Sequence, residues 1–162
     1  MATTRWHRLL HTRNDFTLTL ARVALALVFL GHGSQKVFGW FGGLGFDGTL
    51  EMFQRTMAIP PALTVMAMTA EVLGGLGLLV GLLTRIAASA VLVVMIVAPF
   101  ANGLYVRFFM NWTGRNPGEG FEYHMLAIAL ILSVLVHGAG ALSLDRLLAS
   151  GEPAMPAPPA RT

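Results

Sequence analysis

The chain carries the stretch PALTVMAMTAEVLGGLGLLVGLL at Pro61–Leu83, in which Glu71 is the one ionisable side chain. This stretch is about as long as the roughly 20 residues that an α-helix needs to cross the hydrocarbon core of a bilayer. A carboxylate inside such a segment costs at least ~2.5 kcal/mol to insert, so it is expected to face protein or water rather than lipid. The stretch therefore predicts a membrane protein with a polar group inside its helix bundle.

The composition of the whole chain supports this interpretation. Of its 162 residues, 55% are hydrophobic and 12% are charged, and the mean hydropathy is +0.66. Soluble domains usually carry about 25% charged residues. The absence of cysteine excludes disulfides, thiolate metal sites and iron–sulfur ligation within the chain. The eleven basic residues are scattered rather than grouped in a run, so we expect lipid headgroups as their partners and no nucleic acid.

Hydropathy predicts an all-α fold, an antiparallel bundle of four transmembrane helices within one membrane domain, residues 16–148. The predicted spans are Phe16–Phe38, Pro61–Leu83, Ile86–Leu104 and Phe121–Leu142. Residues 1–15 form a basic N-terminal segment without a convincing cleavage site, and the Pro/Ala-rich residues 149–162 are expected to be disordered. Between the first two spans, residues 47–57 predict a short interfacial helix capped by Asp47.

The distribution of basic residues predicts the orientation in the membrane. The more basic side is expected to be cytoplasmic, which makes this a multi-pass protein of the cytoplasmic (inner) membrane with both termini inside. That side holds Arg5, Arg8, Arg13, Arg85, Arg146 and Arg161, and the other holds Lys36, Arg55, Arg107 and Arg115.

A polar core is predicted between the helices. Its members are Arg22, His32, Gln35, Lys36 and Glu71. His32, Gln35 and Lys36 follow the spacing that places side chains on one helix face. Either Arg22 or His32 is the expected partner of Glu71, and the sequence does not choose between them. In one interpretation the ion pair fixes the register of two helices. In the other it takes part in proton transfer or ligand binding.

Small residues on the second span predict close helix contacts. The glycines concerned are Gly74, Gly75, Gly77 and Gly81. Glycine lets a neighbouring backbone approach closely in a membrane bundle. Gly74 and Gly75 share a helix face with Glu71, so the carboxylate is expected to point into a helix–helix contact.

Polar residues near the predicted outer ends of the helices suggest a ligand pocket. They are His32, Asn102, Arg107, Glu122, Tyr123 and His124. A quinone headgroup suits this set, because its carbonyl oxygens accept hydrogen bonds and its ring packs on aromatics. Two weaker alternatives are a haem held by His32 and His124, and a metal held by these two and Glu122, although we expect no metal site. A further alternative is that these helix ends are polar because they meet water. No catalytic residue is assigned.

Several ordered motifs resemble the DoxX family. They are Arg22-Val23-Ala24 leading to FLGHGSQKVFGWFGG (Phe29–Gly43), AEVLGGLGLLVGLLTR (Ala70–Arg85), the pair Glu122-Tyr123, and GAGALSLDRLL (Gly138–Leu148). The resemblance covers residues 18–148 and implies a four-helix protein of the cytoplasmic membrane associated with oxidoreductases. The residues that match are Arg22, His32, Gly33, Gln35, Lys36, Glu71, Gly74, Gly75, Thr84, Arg85, Glu122 and Tyr123.

Three functions remain open at this point. The leading hypothesis is an integral membrane subunit of a quinone-linked oxidoreductase or oxidative-stress system, with quinone as the expected cofactor. The alternatives are a small proton or solute permeation protein and a non-catalytic assembly subunit. The expected partners are the bilayer, a membrane or peripheral redox protein and, as an alternative, a second copy of the chain.

Overall fold

A computed structural model describes residues 10–101, 107–114 and 119–150. Its helices are α1 (Phe16–Phe38), α2 (Gly45–Met57), α3 (Pro61–Val80), α4 (Thr84–Ala101), α5 (Glu122–His137) and α6 (Leu144–Ser150), with a short 3-10 turn at Trp40–Gly42 between α1 and α2. The described ranges contain no strand. Asn102, the first nine residues and the predicted tail from residue 151 onwards lie outside them.

The predicted all-α membrane fold is confirmed. Helices α1, α3 and α4 are long and apolar enough to cross a membrane, and α5 is a shorter apolar helix of 16 residues. At 1.5 Å per residue α5 is about 24 Å long, somewhat less than the hydrocarbon thickness. Two helices end earlier than predicted, because Gly81 (φ 68°) and Gly138 (φ 90°) take conformations that terminate α3 and α5.

The four apolar helices pack side by side, with α3 between α1 and α4, α5 against α4, and α5 also against α1. Their common core is apolar and includes Phe29, Leu78, Val91, Ile131 and Val134, all at most 1% exposed. The end of the bundle with the C-terminus of α1 and the N-terminus of α3 is called the Lys36 end below. The opposite end, with the turn between α3 and α4, is called the Arg22 end.

Glycines bring α3 close to both of its neighbours. A Cβ at Gly75 would lie 2.9 Å from Leu30 Cγ of α1, and one at Gly33 of α1 would lie 2.8 Å from a methyl of Val72. Gly74 and Gly77 face α4 instead, where added Cβ atoms would meet Val91 and Ala87. Glycine on both helices therefore permits the close crossing of α1 and α3.

The predicted cap of α2 is wrong, whereas Gly81 does make a close contact. Gly81 is the left-handed residue after the last turn of α3, and a Cβ there would lie 2.9 Å from Arg22 Nη1 of α1 and 2.5 Å from Ser143 Cβ. Asp47 does not cap α2, which begins two residues earlier at Gly45 after Leu44. Asp47 lies in the first turn instead, where a negative charge favours the helix through its dipole.

Candidate functional site

A buried ion pair joins α1 to α3 at the Lys36 end. Lys36 Nζ lies 2.5 Å from Oε1 and 2.6 Å from Oε2 of Glu71, so the ammonium group contacts both carboxylate oxygens. The Glu71 side chain is 4% exposed and that of Lys36 is 24% exposed. The only lysine of the chain thus neutralises the only carboxylate within α3.

The crossing of α1 and α3 explains this pairing. Gly33 lies against Glu71 and Val72, which places Glu71 about one helical turn from the C-terminal end of α1. Lys36 is one turn further along α1 and extends back to the carboxylate. The prediction that Arg22 or His32 pairs with Glu71 is therefore wrong. Arg22 is at the other end of the bundle, and the His32 side chain points away from the bundle interior.

The α2 helix covers the ion pair from the Lys36 end. It packs on both α1 and α3, the two helices that supply the charges. Thr49 of α2 is 2% exposed, and its Oγ1 donates to the backbone carbonyl of Lys36 at 3.2 Å. This bond ties α2 to the last turn of α1, where carbonyl groups lack partners within the helix. The helix predicted between the first two spans thus packs over the Lys36–Glu71 pair.

Arg22 binds backbone carbonyls at the Arg22 end. It is 1% exposed. Its Nε donates to Ala139 (2.9 Å), Nη2 to Leu142 (2.6 Å), and Nη1 to Leu78 and to Leu79 (2.8 Å). The last two acceptors belong to the final turn of α3, whose carbonyls have no partner within the helix. Arg22 therefore joins α1, the end of α3 and the loop before α6.

Arg85 binds backbone carbonyls at the end of α5, as Arg22 does at the end of α3. Its guanidinium donates to the carbonyls of Leu135 (2.8 Å) and Val136 (3.0 Å) in the last turn of that helix. Two arginines thus bind the carboxyl-terminal ends of α3 and α5, where a positive charge also interacts favourably with the helix dipole.

Asp145 completes this end of the bundle, and the sequence reasoning missed its role. It is 1% exposed, and its two carboxylate oxygens accept from the backbone N–H groups of Leu83 (2.7 Å) and Thr84 (2.9 Å). These donors start α4 and would otherwise lack partners. The available signal was Ser143 directly before α6 and Asp145 in its first turn, a pattern typical of a helix start. That pattern marks the start of α6 and does not reveal that Asp145 caps α4.

A groove lies on the outer face of the bundle between α1, the 3-10 turn and α5. Its volume is about 330 Å³. The residues that line it are Leu27, Val28, Gly31, His32, Gln35, Phe41 and Tyr123. Its polar lining residues are His32, Gln35 and Tyr123, and Gln35 directly precedes Lys36 of the ion pair on α1. Three polar side chains thus meet in an otherwise apolar groove beside the ion pair.

The other predicted pocket residues lie elsewhere. Glu122 accepts from the backbone N–H of Met110 (3.0 Å) and from Trp112 Nε1 (3.1 Å), which fixes the loop before α5. Arg107 is exposed and lies outside the residues that line the groove. Asn102 falls outside the described residues.

His124 faces a different cleft from that of His32. It lines an apolar cleft of about 390 Å³ between α4 and α5, together with Met95 and Pro99. Its Nδ1 is buried and has no hydrogen-bond partner among the described residues. Within those residues no group of three metal-ligating side chains converges, so His32, Glu122 and His124 do not form a common site.

Comparison with known proteins places the chain among membrane proteins. The DoxX family profile matches residues 17–103. The chain is 28% identical over 133 residues to inner membrane protein YphA of Escherichia coli K12, which covers 80% of this chain and 88% of YphA. It is 26% identical over 134 residues to inner membrane protein YqjF of the same organism, which covers 83% and 93%. No solved structure matches significantly.

The match to the family profile spans more than half of the chain and includes α1, α3 and α4 with the Lys36–Glu71 ion pair. Both relatives carry names that place them in the inner membrane, in agreement with the apolar helices described above. The protein is a multi-pass membrane protein that belongs to the DoxX family.

Proposed function

We propose that this protein is an integral membrane subunit of a quinone-linked redox system, and that the groove between α1 and α5 holds the quinone headgroup. The observation that carries the proposal is the meeting of His32, Gln35 and Tyr123 in an otherwise apolar groove next to a buried ion pair. Polar side chains on the outer face of a membrane bundle are costly in lipid and tend to be functional.

The size and lining of the groove suit a flat ring with an apolar tail. Its volume of about 330 Å³ lies at the lower end of the range for small-molecule sites. Gly31 has no heavy atom within 4 Å of the place where a Cβ would stand, so the wall of the groove is open there. The side chains of Leu27 and Val28 are exposed on the bundle surface and offer an apolar track for the tail.

The polar residues supply the hydrogen bonds that a headgroup requires. Gln35 offers an amide N–H, Tyr123 a phenol O–H and His32 a ring N–H, and each of these donors suits a carbonyl oxygen. A bound quinone supplies two-electron chemistry coupled to two protons. The His32 ring and the Tyr123 phenol each carry an exchangeable proton at the groove, and Lys36 of the ion pair follows His32 by one turn of α1.

The electrons would come from a partner protein. The chain has no cysteine and therefore no thiol or iron–sulfur centre of its own. A membrane or peripheral redox protein is therefore part of the proposal. Phe109 (69% exposed) and Trp112 (82% exposed), in the loop before α5, offer an aromatic surface for contact with that partner or with lipid headgroups.

The same contacts weigh against a permeation pathway. Both carboxylate oxygens of Glu71 accept from Lys36, and the guanidinium of Arg22 donates to backbone carbonyls. Neither charge is therefore available to bind a mobile ion. Proton or solute flux in proteoliposomes that disappears with Glu71→Gln would favour the permeation alternative instead.

Equilibrium binding of a short-tailed quinone to the purified protein in lipid nanodiscs tests the proposal. We expect saturable binding, weakened about fivefold or more by His32→Leu and by Tyr123→Phe, because each removes a hydrogen bond worth about 1 kcal/mol. His137→Leu is the matched control, since His137 lies at the far end of α5 and bonds to its own helix. Binding that does not saturate, or that all three variants leave unchanged, would overturn the proposal.

A further inference from the structure

Phe41 has a backbone conformation that its side chain disfavours. Its φ of 54° and ψ of 32° lie in the left-handed region, which L-residues other than glycine seldom adopt. The other described non-glycine residues with positive φ are Ala58 and Leu83, and both stand at helix boundaries: Ala58 caps α2, and Leu83 precedes α4. Phe41 instead lies inside the 3-10 turn between α1 and α2.

Neighbouring glycines hold this turn beside the groove. Gly39 (φ 72°) and Gly42 (φ 76°) take positive φ on either side of Phe41. Gly43 packs so tightly on α1 that a Cβ there would lie 2.2 Å from the carbonyl oxygen of Gln35, a groove residue. The turn is therefore fixed to the part of α1 that forms the groove.

The aromatic ring of Phe41 stands at the rim of the groove. It is 77% exposed, yet it lines the same groove as His32, Gln35 and Tyr123. The ring of the preceding residue, Trp40, packs on Phe38 instead, with ring centroids 5.2 Å apart. A strained backbone that presents an aromatic ring to a ligand groove is typical of a binding site, where such strain tends to occur.

We propose that Phe41 is a binding residue that closes the groove over the occupant by stacking on its ring. This inference rests on the proposed function and adds to it that the occupant is a planar, conjugated ring, as a quinone headgroup is. Offset or edge-on packing of two rings needs a flat partner within about 4.5–7 Å. The fixed position of the turn keeps the ring of Phe41 at the groove, so little conformational entropy is lost when the ligand binds.

Substitutions at Phe41 separate this role from a structural one. Phe41→Gly removes the ring and also relieves the left-handed strain, so the variant should unfold at the same or a higher SDS concentration than the wild type. Its affinity for the short-tailed quinone should fall about fivefold, as expected for the loss of one aromatic contact. A residue that matters only for folding would not combine unchanged or raised stability with weaker binding.

Three further variants define the requirement for the ring. Phe41→Tyr keeps the ring and should bind as the wild type does, whereas Phe41→Leu keeps an apolar anchor for the membrane and should bind about as weakly as Phe41→Gly. Phe16→Leu is the matched control, since Phe16 is an exposed aromatic (58%) at the first turn of α1, outside the groove and at the Arg22 end. It should bind the quinone within twofold of the wild type.

The outcomes distinguish the two proposals. Wild-type protein that binds no quinone would overturn both the proposed function and the role of Phe41. Suppose instead that the wild type binds quinone saturably and that Phe41→Gly and Phe41→Leu both bind it as tightly as the wild type does. That result would overturn the role of Phe41 alone and leave the proposed function standing.

Discussion

Loss of Lys36 and loss of Glu71 from their ion pair should lower the free energy of unfolding by different amounts. Lys36→Met leaves the Glu71 carboxylate, 4% exposed, without its countercharge. Loss of one partner from a buried pair costs about 3–5 kcal/mol, and the lower value suits a pair near one end of the bundle. Glu71→Gln leaves an ammonium group that is 24% exposed and can extend toward water, so its cost should be about 1 kcal/mol.

The double variant provides the interaction energy itself. With both charges gone the penalty for an unpaired charge disappears, and what remains is a buried amide that has lost its hydrogen-bond partner. Lys36→Met/Glu71→Gln should therefore cost about 2 kcal/mol rather than about 4 kcal/mol, the sum of the two single changes. The expected coupling energy is therefore about 2 kcal/mol in a double-mutant cycle. Reversible unfolding of the purified protein by SDS in mixed micelles measures each free energy of unfolding.

An exposed ion pair on the same protein serves as the matched control. Glu51 and Arg55 of α2 lie 2.9 Å apart with side chains 59% and 77% exposed. Their coupling energy should stay below about 0.5 kcal/mol. A Lys36–Glu71 coupling as small as that of the control would refute the burial argument. A large coupling between Arg22 and Glu71 would refute the assignment of the partner.

Five other variants test the contacts at the two ends of the bundle, each by SDS unfolding. Arg22→Lys should cost about 2 kcal/mol because lysine cannot reach the same set of carbonyls; a loss under about 0.5 kcal/mol would contradict the geometry. Gly33→Ala should cost about 1–3 kcal/mol, since its Cβ would lie 2.8 Å from Val72. Gly31→Ala, with open space around the same position, should be neutral or slightly stabilising, and equal effects of the two would argue against the close crossing. Asp145→Ala should cost about 1–2 kcal/mol through the lost cap of α4, and an unchanged midpoint would show that the two N–H groups have other partners. His124→Phe should lose no more than about 0.5 kcal/mol because Nδ1 has no partner to lose among the described residues, and a larger loss would reveal one.

The sequence alone predicts the number and the course of the apolar helices, because their length and hydropathy are local properties. It also predicts that Glu71 points into a helix contact, since glycines share its face. It does not predict that Lys36 is the partner of Glu71. That choice depends on the register of α1 against α3, which the contacts of Gly33 and Gly75 set across two separate segments.

The partners of Arg22 could not be predicted from the sequence either. An arginine inside an apolar helix suggests an ion pair, so Arg22 is one of the two partners that the sequence offers for Glu71. In the folded protein its donors bind carbonyls of Leu78, Leu79, Ala139 and Leu142, which approach only when α3 ends at Gly81 and the loop before α6 folds back. Backbone groups leave no trace in a sequence pattern, so this site could not be read from residue types.

The strain at Phe41 is likewise invisible in the sequence. The run Gly39-Trp40-Phe41-Gly42-Gly43 indicates a turn with aromatic residues, but it does not reveal which ring faces a groove. The distinction comes from the backbone angles of the turn and from the packing of Gly43 on Gln35.

Photolabelling tests the central claim, that the groove beside the Lys36–Glu71 pair binds a quinone headgroup. A short-tailed azidoquinone would be irradiated with the protein in nanodiscs, and the labelled peptides identified by mass spectrometry. We predict adducts on residues 27–41 and on Tyr123 that disappear when excess unlabelled quinone is present. Adducts around Met95 in the cleft between α4 and α5, or labelling that excess quinone does not suppress, would contradict it.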